Sequence, residues 1–206
     1  VSFIKNDNRD FFITNLLTKE EEKMSNKIIF QFDDNLEYQK KAVDSVVELF
    51  RGLPKSLDSI YAERIRRSFT EKDPVRNIDI VKGNKLFQNL KKVQLKNGLF
   101  TDEKAYNKHE RDFTVEMETG TGKTYVYLRT ILELHKEYGF KKFMIVVPSV
   151  AIRKGVEKSI EQLREHFKRL YNVDLSKYSF IYDSNNLEKM SSNFVESNDL
   201  SICVLN

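Results

Sequence analysis

The stretch Met117-Glu118-Thr119-Gly120-Thr121-Gly122-Lys123-Thr124 constrains this chain more than any other. Glycines at 120 and 122 let the backbone curl tightly, and a curled backbone can turn several N–H groups onto one anion. Lys123 adds a mobile positive charge, and the Thr124 hydroxyl can complete the shell of a Mg²⁺ ion. After the loop, Val126, Thr130, Ile131 and Leu134 recur at helical spacing up to Gly139, a natural C-terminal stop. A bound phosphate would then lie at a helix N-terminus, where free N–H groups and the helix dipole favour negative charge. Before the loop, Asp112 to Met117 reads as a short strand. The usual pattern is G-x-x-x-x-G-K-[ST], and Met117 takes the place of its first glycine. The remaining G-x-G-K-[ST] core arises by chance in about one chain in a hundred of this length. A plain glycine turn before a surface helix is the bland alternative, and the strand–loop–helix context argues against it. Thr119, Gly120, Thr121, Gly122, Lys123 and Thr124 are therefore candidate ligands of a nucleoside triphosphate.

Composition supports a globular reading. Of 206 residues, 40% are hydrophobic and 32% charged, with three prolines and seven glycines, enough for one large domain or a domain with an insert. No apolar run approaches the ~20 residues of a membrane span, and residues 1–22 lack the order of a signal peptide. The single cysteine, Cys203, permits no internal disulfide, which suits a reducing cytoplasm. It lies in an apolar run, so a buried structural thiol is expected. The net charge of +4 is compatible with nucleic acid without pointing to it.

Along the chain, residues 1–27 carry no clear function. Met24-Ser25-Asn26-Lys27 reads as a natural start, with a leader or a misassigned upstream stretch before it. Ile28 to Phe32 reads as a brief extended segment, and Asp34 with Glu37 matches a capping box opening a helix. On that helix Leu36, Gln39, Val43, Val46, Val47 and Phe50 share one face, and Gly52 closes it. Gln39 is the polar exception. Its amide offers an acceptor and two donors, a match to the N6–H₂ and N7 edge of adenine; an ordinary polar residue at the rim of an amphipathic helix is the alternative. The long stretch from Pro54 to Asp112 predicts two helices, Lys55 to Thr70 and Asn84 to Lys96, the second ended by Asn97-Gly98.

Beyond the loop helix, Lys142 to Val147 is a continuous apolar strand of the kind buried on both faces in parallel sheets. Ser149 can cap the next helix, whose stripe is Ile152, Val156, Ile160, Leu163, Phe167 and Leu170. Its other face is basic: Arg153, Lys154, Lys158, Arg164, Lys168 and Arg169. Tyr178 to Tyr182 and Leu200 to Leu205 read as further strands, joined by a polar connector. This alternation predicts an α/β fold with a parallel sheet. Ligands bind beyond the carboxyl ends of such strands, where the phosphate loop and Pro148-Ser149 both fall.

The order Asn35-Leu36-Glu37-Tyr38-Gln39, then Met117 to Thr124, then Val147-Pro148-Ser149-Val150-Ala151-Ile152-Arg153 resembles superfamily 2 helicases, and more closely the restriction (Res) subunit of type III restriction-modification enzymes. The resemblance covers Phe32 to Phe50 and Phe113 to Arg153 well and the rest in outline. It implies an incomplete RecA-like P-loop NTPase sheet with flanking helices and a helical insert before the loop. The divisions are then 1–27 as a leader, 28–53 as an adenine-recognition segment, 54–111 as the insert and 112–206 as part of the first motor domain. It implies ATP and Mg²⁺ as cofactors, with Gln39 on adenine, Lys123 on the β/γ-phosphates and Thr124 on the metal. Lys123 and Thr124 are the catalytic candidates. Pro148, Ser149 and Arg153 match a motif that tracks the DNA backbone. The implied partners are double-stranded DNA and a methyltransferase subunit, with no membrane.

No Asp-Glu motif follows a strand downstream of Arg153, and no arginine-finger motif is found. In the family these come later, so the chain reads as an N-terminal fragment that binds nucleotide weakly and is inactive alone. Another superfamily 2 translocase or helicase, such as a type I restriction motor, a DNA-binding module with a vestigial loop and a small-molecule kinase are the rival readings; Gln39 and the Val-Pro-Ser segment disfavour the kinase.

Overall fold

In a computed structural model, residues 32–52, 85–108, 112–182, 184–185 and 190–206 are described. The chain divides into two compact units, Val1–Phe32 and Asp33–Asn206, and all described residues but Phe32 belong to the second. The expected helix from Lys55 to Thr70 and the extended segment from Ile28 to Gln31 lie outside the described residues.

The helices are α1 (Glu37–Leu49), α2 (Lys85–Lys96), α3 (Glu103–Lys108), α4 (Lys123–Tyr138), α5 (Val150–Tyr171) and the single turn α6 (Leu175–Tyr178). The strands are β1 (Lys142–Val146), β2 (Ser179–Ile181) and β3 (Ser201–Leu205). Among the described residues they make one three-stranded sheet in the order β1-β3-β2. Both pairings are parallel, with Met144 opposite Cys203 and Phe180 opposite Cys203. The α/β class and the parallel sheet follow the sequence expectation. β3 is central, and Ile202, Cys203 and Val204 are fully buried. Burial pushes the Cys203 thiol above its ordinary range, as suits a structural thiol.

β1 differs from expectation. Ile145 is buried, but Met144 is 56% and Val146 71% exposed. Its continuous apolar run predicted cover on both faces; β1 is instead an edge strand of the described sheet with one face open. The expected strand from Asp112 to Met117 is also absent: residues 112–118 have no regular structure. Phe113, Val115 and Met117 alternate as a half-buried strand would, but a strand exists only where a ladder partner lies beside it, and no described strand does. Phe113 packs instead on Leu49, Leu86 and Val93. Tyr178, expected to open β2, ends α6, and a π-helical turn at Ser191–Glu196 interrupts the polar connector.

α4 is the central helix. Leu128 and Leu132 are fully buried, α1 and α5 both pack on it, and α2 packs on α1. Gly139 ends it in left-handed backbone at φ 68°, as its position predicted. α1 starts at Glu37 rather than near Asp34. Leu36 occupies the N-cap without a side-chain bond, so the capping box does not form; the Asp33 carboxylate instead accepts from Asn35 N. At the other end of α1, the buried Asn89 of α2 donates to the carbonyls of Leu49 and Arg51, both at 2.9 Å. Those bonds satisfy two acceptors that a helix C-terminus leaves open. The Ser149 cap does form, its hydroxyl accepting from Ile152 N at 3.3 Å. The stripe of α5 is buried at Val156, Ile160, Leu163 and Phe167, whereas Ile152 is exposed.

His166 is the polar member of that face, its Nε2 3.1 Å from the Tyr125 hydroxyl of α4. Burial, aided by Arg169, holds its imidazole below the ordinary 6.5. The unfolded chain therefore binds more protons near that value than the folded chain does, so stability rises with pH through this window. The contribution is full above about pH 6.5 and is lost on acidification. Urea titrations at pH 8 and pH 5.5 are expected to show a larger loss for the wild type than for His166→Gln, which does not titrate there; equal losses would exclude this role.

Candidate nucleotide-binding site

The loop takes its shape from its glycines. Gly120 has φ 83° and Gly122 φ 84°, in the region that L side chains rarely adopt. A Cβ on Gly120 would meet nothing within 4 Å, whereas one on Gly122 would lie 2.7 Å from Gln39 Nε2. Gly120 is thus demanded by backbone angle alone, and Gly122 by angle and by a close approach. Gly122 precedes α4 without a side-chain cap, which leaves the first-turn N–H groups to an external acceptor. Within the loop, Thr121 Oγ1 and Lys123 Nζ both donate to the Glu118 carbonyl, each at 2.7 Å. Thr119 and Lys123 are exposed. Thr124 is half-buried. Burial holds the nearby Tyr127 phenol above its ordinary value, an effect that the Thr124 hydroxyl partly offsets. Among the described residues no His, Cys, Asp or Glu cluster could hold a metal by itself.

Gln39 reaches the loop. It is buried on α1, and its Nε2 donates to the Thr121 carbonyl at 2.9 Å across 82 residues of sequence. The same nitrogen lies 3.5 Å from the Tyr38 hydroxyl, at the limit of a hydrogen bond. The structure therefore brings Gln39 together with Thr121, Gly122 and, through the loop, Lys123.

The segment after β1 is placed separately. Pro148 is exposed, and Ser149 caps α5. Arg153 Nη1 donates to Asn206 Oδ1 at 2.6 Å, while its buried Nε has no partner among the described residues. Lys154 and Lys158 on α5 are exposed, and Arg164 pairs with Asp174 at 2.9 Å.

A model of the family described as "Type III restriction enzyme, res subunit" matches residues 33–206. The chain belongs to that family. Among curated Res-family relatives, the Res subunit of the type III restriction-modification enzyme EcoP15I from Escherichia coli is 33% identical over 151 residues, 72% of this chain and 15% of that protein. The EcoPI Res subunit from Escherichia phage P1 gives the same identity and coverage. The StyLTI Res subunit of Salmonella typhimurium is 52% identical over 59 residues, 28% of this chain and 6% of that protein. This Res-family chain thus spans about 15% of the length of the first two relatives. Membership carries a P-loop NTPase-like fold, with which the parallel sheet and its flanking helices agree.

A polar group next to this site does not stand out in the sequence. Arg129, on α4, donates through Nη1 to the Asp34 carbonyl at 2.7 Å and to the Tyr125 hydroxyl at 3.3 Å. Tyr125 and Arg129 stand four apart on a helix, a spacing that brings side chains together; that spacing was the available signal.

Gly122→Ala should destabilise the folded chain by about 1–2 kcal/mol through its backbone angle, with a further cost from pushing Gln39 off Thr121. Urea denaturation in a Gln39→Ala background should recover the second part. Identical costs in both backgrounds would show that the close approach to Gln39 contributes nothing.

Proposed function

We propose that this chain is the nucleotide-gripping part of an ATP-driven motor that acts on double-stranded DNA within a type III restriction subunit. The observation that carries the reading is the bond from Gln39 to the Thr121 carbonyl at 2.9 Å, which joins a buried amide to a phosphate-loop geometry. In this reading the sheet is part of a RecA-like motor domain, and 54–111 is an insert between its adenine segment and its phosphate loop.

The residues present suit ATP. Gln39 uses one N–H on Thr121, and its Oε1 accepts no hydrogen bond among the described residues, leaving a carbonyl for the adenine amino group. Gly120, Thr121, Gly122 and the start of α4 would supply backbone N–H groups to the phosphates. Lys123 now donates to a neutral carbonyl, and a charged phosphate oxygen is the stronger acceptor. Its ammonium would move to the β/γ-phosphates when nucleotide binds, and Thr124 would ligate the accompanying Mg²⁺. That ion would supply charge neutralisation at the phosphates.

Pro148, Ser149 and Arg153 lie at the carboxyl end of β1 and the start of α5, and this turn would follow the DNA backbone. The exposed Lys154 and Lys158 extend it with positive charge. Restriction of DNA together with a modification methyltransferase in the cytoplasm is then the activity of the longer protein.

Titration with a fluorescent ATP analogue tests the reading. The chain should bind it in the presence of Mg²⁺, and Lys123→Ala should weaken binding at least about tenfold, the scale of a charge-assisted contact. Affinity unchanged by Lys123→Ala and by chelation would mark the loop as vestigial.

A further inference from the structure

α1 carries Gln39 in its first turn, where the amide bonds the Thr121 carbonyl. Leu36 provides no side-chain cap, and uncapped first turns fray. α1 is held instead by α4. Near its C-terminal end the Tyr138 hydroxyl donates to the Val47 carbonyl at 3.1 Å. At the segment leading into it, Arg129 Nη1 donates to the Asp34 carbonyl at 2.7 Å. The Asp33–Asn35 turn, closed by Asn35 N on the Asp33 carboxylate at 2.8 Å, passes directly into the turn that carries Gln39.

Arg129 is itself fixed in place. Its Nη1 also donates to the Tyr125 hydroxyl at 3.3 Å, and its guanidinium carbon lies 5.9 Å from that ring's centroid. Burial disfavours its charge, but the Tyr171 and Tyr125 hydroxyls more than offset this, and its pKa rises. The Tyr171 hydroxyl in turn donates to Glu133 at 2.6 Å, and His166 lies against the Tyr125 hydroxyl. Arg129 Nε is buried without a partner among the described residues, a cost that a replaceable surface arginine would not carry. Arg129 sits on the same helix that begins with Lys123. The phosphate loop and the carrier of Gln39 are therefore referenced to one rigid element.

We propose that Arg129 is a positioning residue for nucleobase selection: by holding Asp34 it sets where the Gln39 amide stands relative to the phosphate loop. This rests on the reading of Gln39 as the adenine contact. Arg129 touches neither base nor phosphate in this role, so its loss should affect base discrimination and spare phosphate affinity.

The test compares Mg·ATP, Mg·GTP and inorganic tripolyphosphate as ligands of the full chain, for wild type, Arg129→Gln, Gln39→Ala and the double variant. Arg129→Gln should reduce the preference for ATP over GTP by about tenfold, within the range of one amide–base contact. Tripolyphosphate affinity should stay within about twofold, since the loop is untouched. Adding Arg129→Gln to Gln39→Ala should cost no further discrimination, because both act through the same amide. Arg129→Lys, which keeps a donor for Asp34 without the planar fork, should recover part of the preference; it is the variant to read if Arg129→Gln fails to fold. Equal weakening of all three ligands would make Arg129 a plain structural residue and overturn the proposal. So would an undiminished preference in both Arg129 variants while the wild type discriminates. A wild-type chain that binds ATP and GTP equally would remove the adenine reading itself, and the proposal with it.

Discussion

A buried amide costs free energy unless its hydrogen bonds are made. Gln39 is 6% exposed, in a helix whose other buried positions are apolar. Its partner is the Thr121 carbonyl, inside a loop bent by two left-handed glycines. That bond sets much of the local arrangement. It requires Gly122 to lack a side chain and α1 to lie along α4. α1 in turn places its other end against α2, where Asn89 closes its last carbonyls. Apolar contact supplies the bulk of the adhesion between these helices, through Val46, Val47 and Phe50 against Leu134, Tyr138 and Phe140. The polar bonds add direction, which apolar contact does not.

The two sides of the proposed nucleotide site consequently share a helix. α4 starts with Lys123 and Thr124 and carries Arg129 and Tyr138 further along. Through these last two it holds both ends of the helix that bears Gln39. A rigid shared element keeps a base contact and a phosphate contact at a fixed separation, which lowers the ordering cost of binding both ends of one ligand. The loop itself remains adjustable. Lys123 and Thr121 both donate to Glu118, a backbone carbonyl that charged oxygens can displace.

Much of this was legible in the sequence because it rests on local chemistry. The G-x-G-K-T loop, the Gly139 stop, the Ser149 cap and the apolar run of β3 each depend on residues within one turn or strand, and each formed. Gln39 was legible as an exception to periodicity, although its partner was not. The failures have a common cause. Residues 112–117 alternate like a strand, but a ladder partner decides whether they become one, and periodicity carries no information about partners. Met144 and Val146 read as buried, but burial depends on what covers the sheet face. Asp34 read as a cap, but the turn at Asp33 and the bond from Arg129 took its place. Arg129, Asn89 and His166 were missed because a polar residue on an apolar face looks like noise until its distant partner is known.

Whether the loop and α1 act as one nucleotide site is tested most directly by amide hydrogen exchange with and without Mg·ATP. The account predicts added protection in two segments together, residues 118–126 and residues 34–42, with both responses lost in Lys123→Ala. Protection confined to the loop, with 34–42 unchanged at saturating nucleotide, would contradict it.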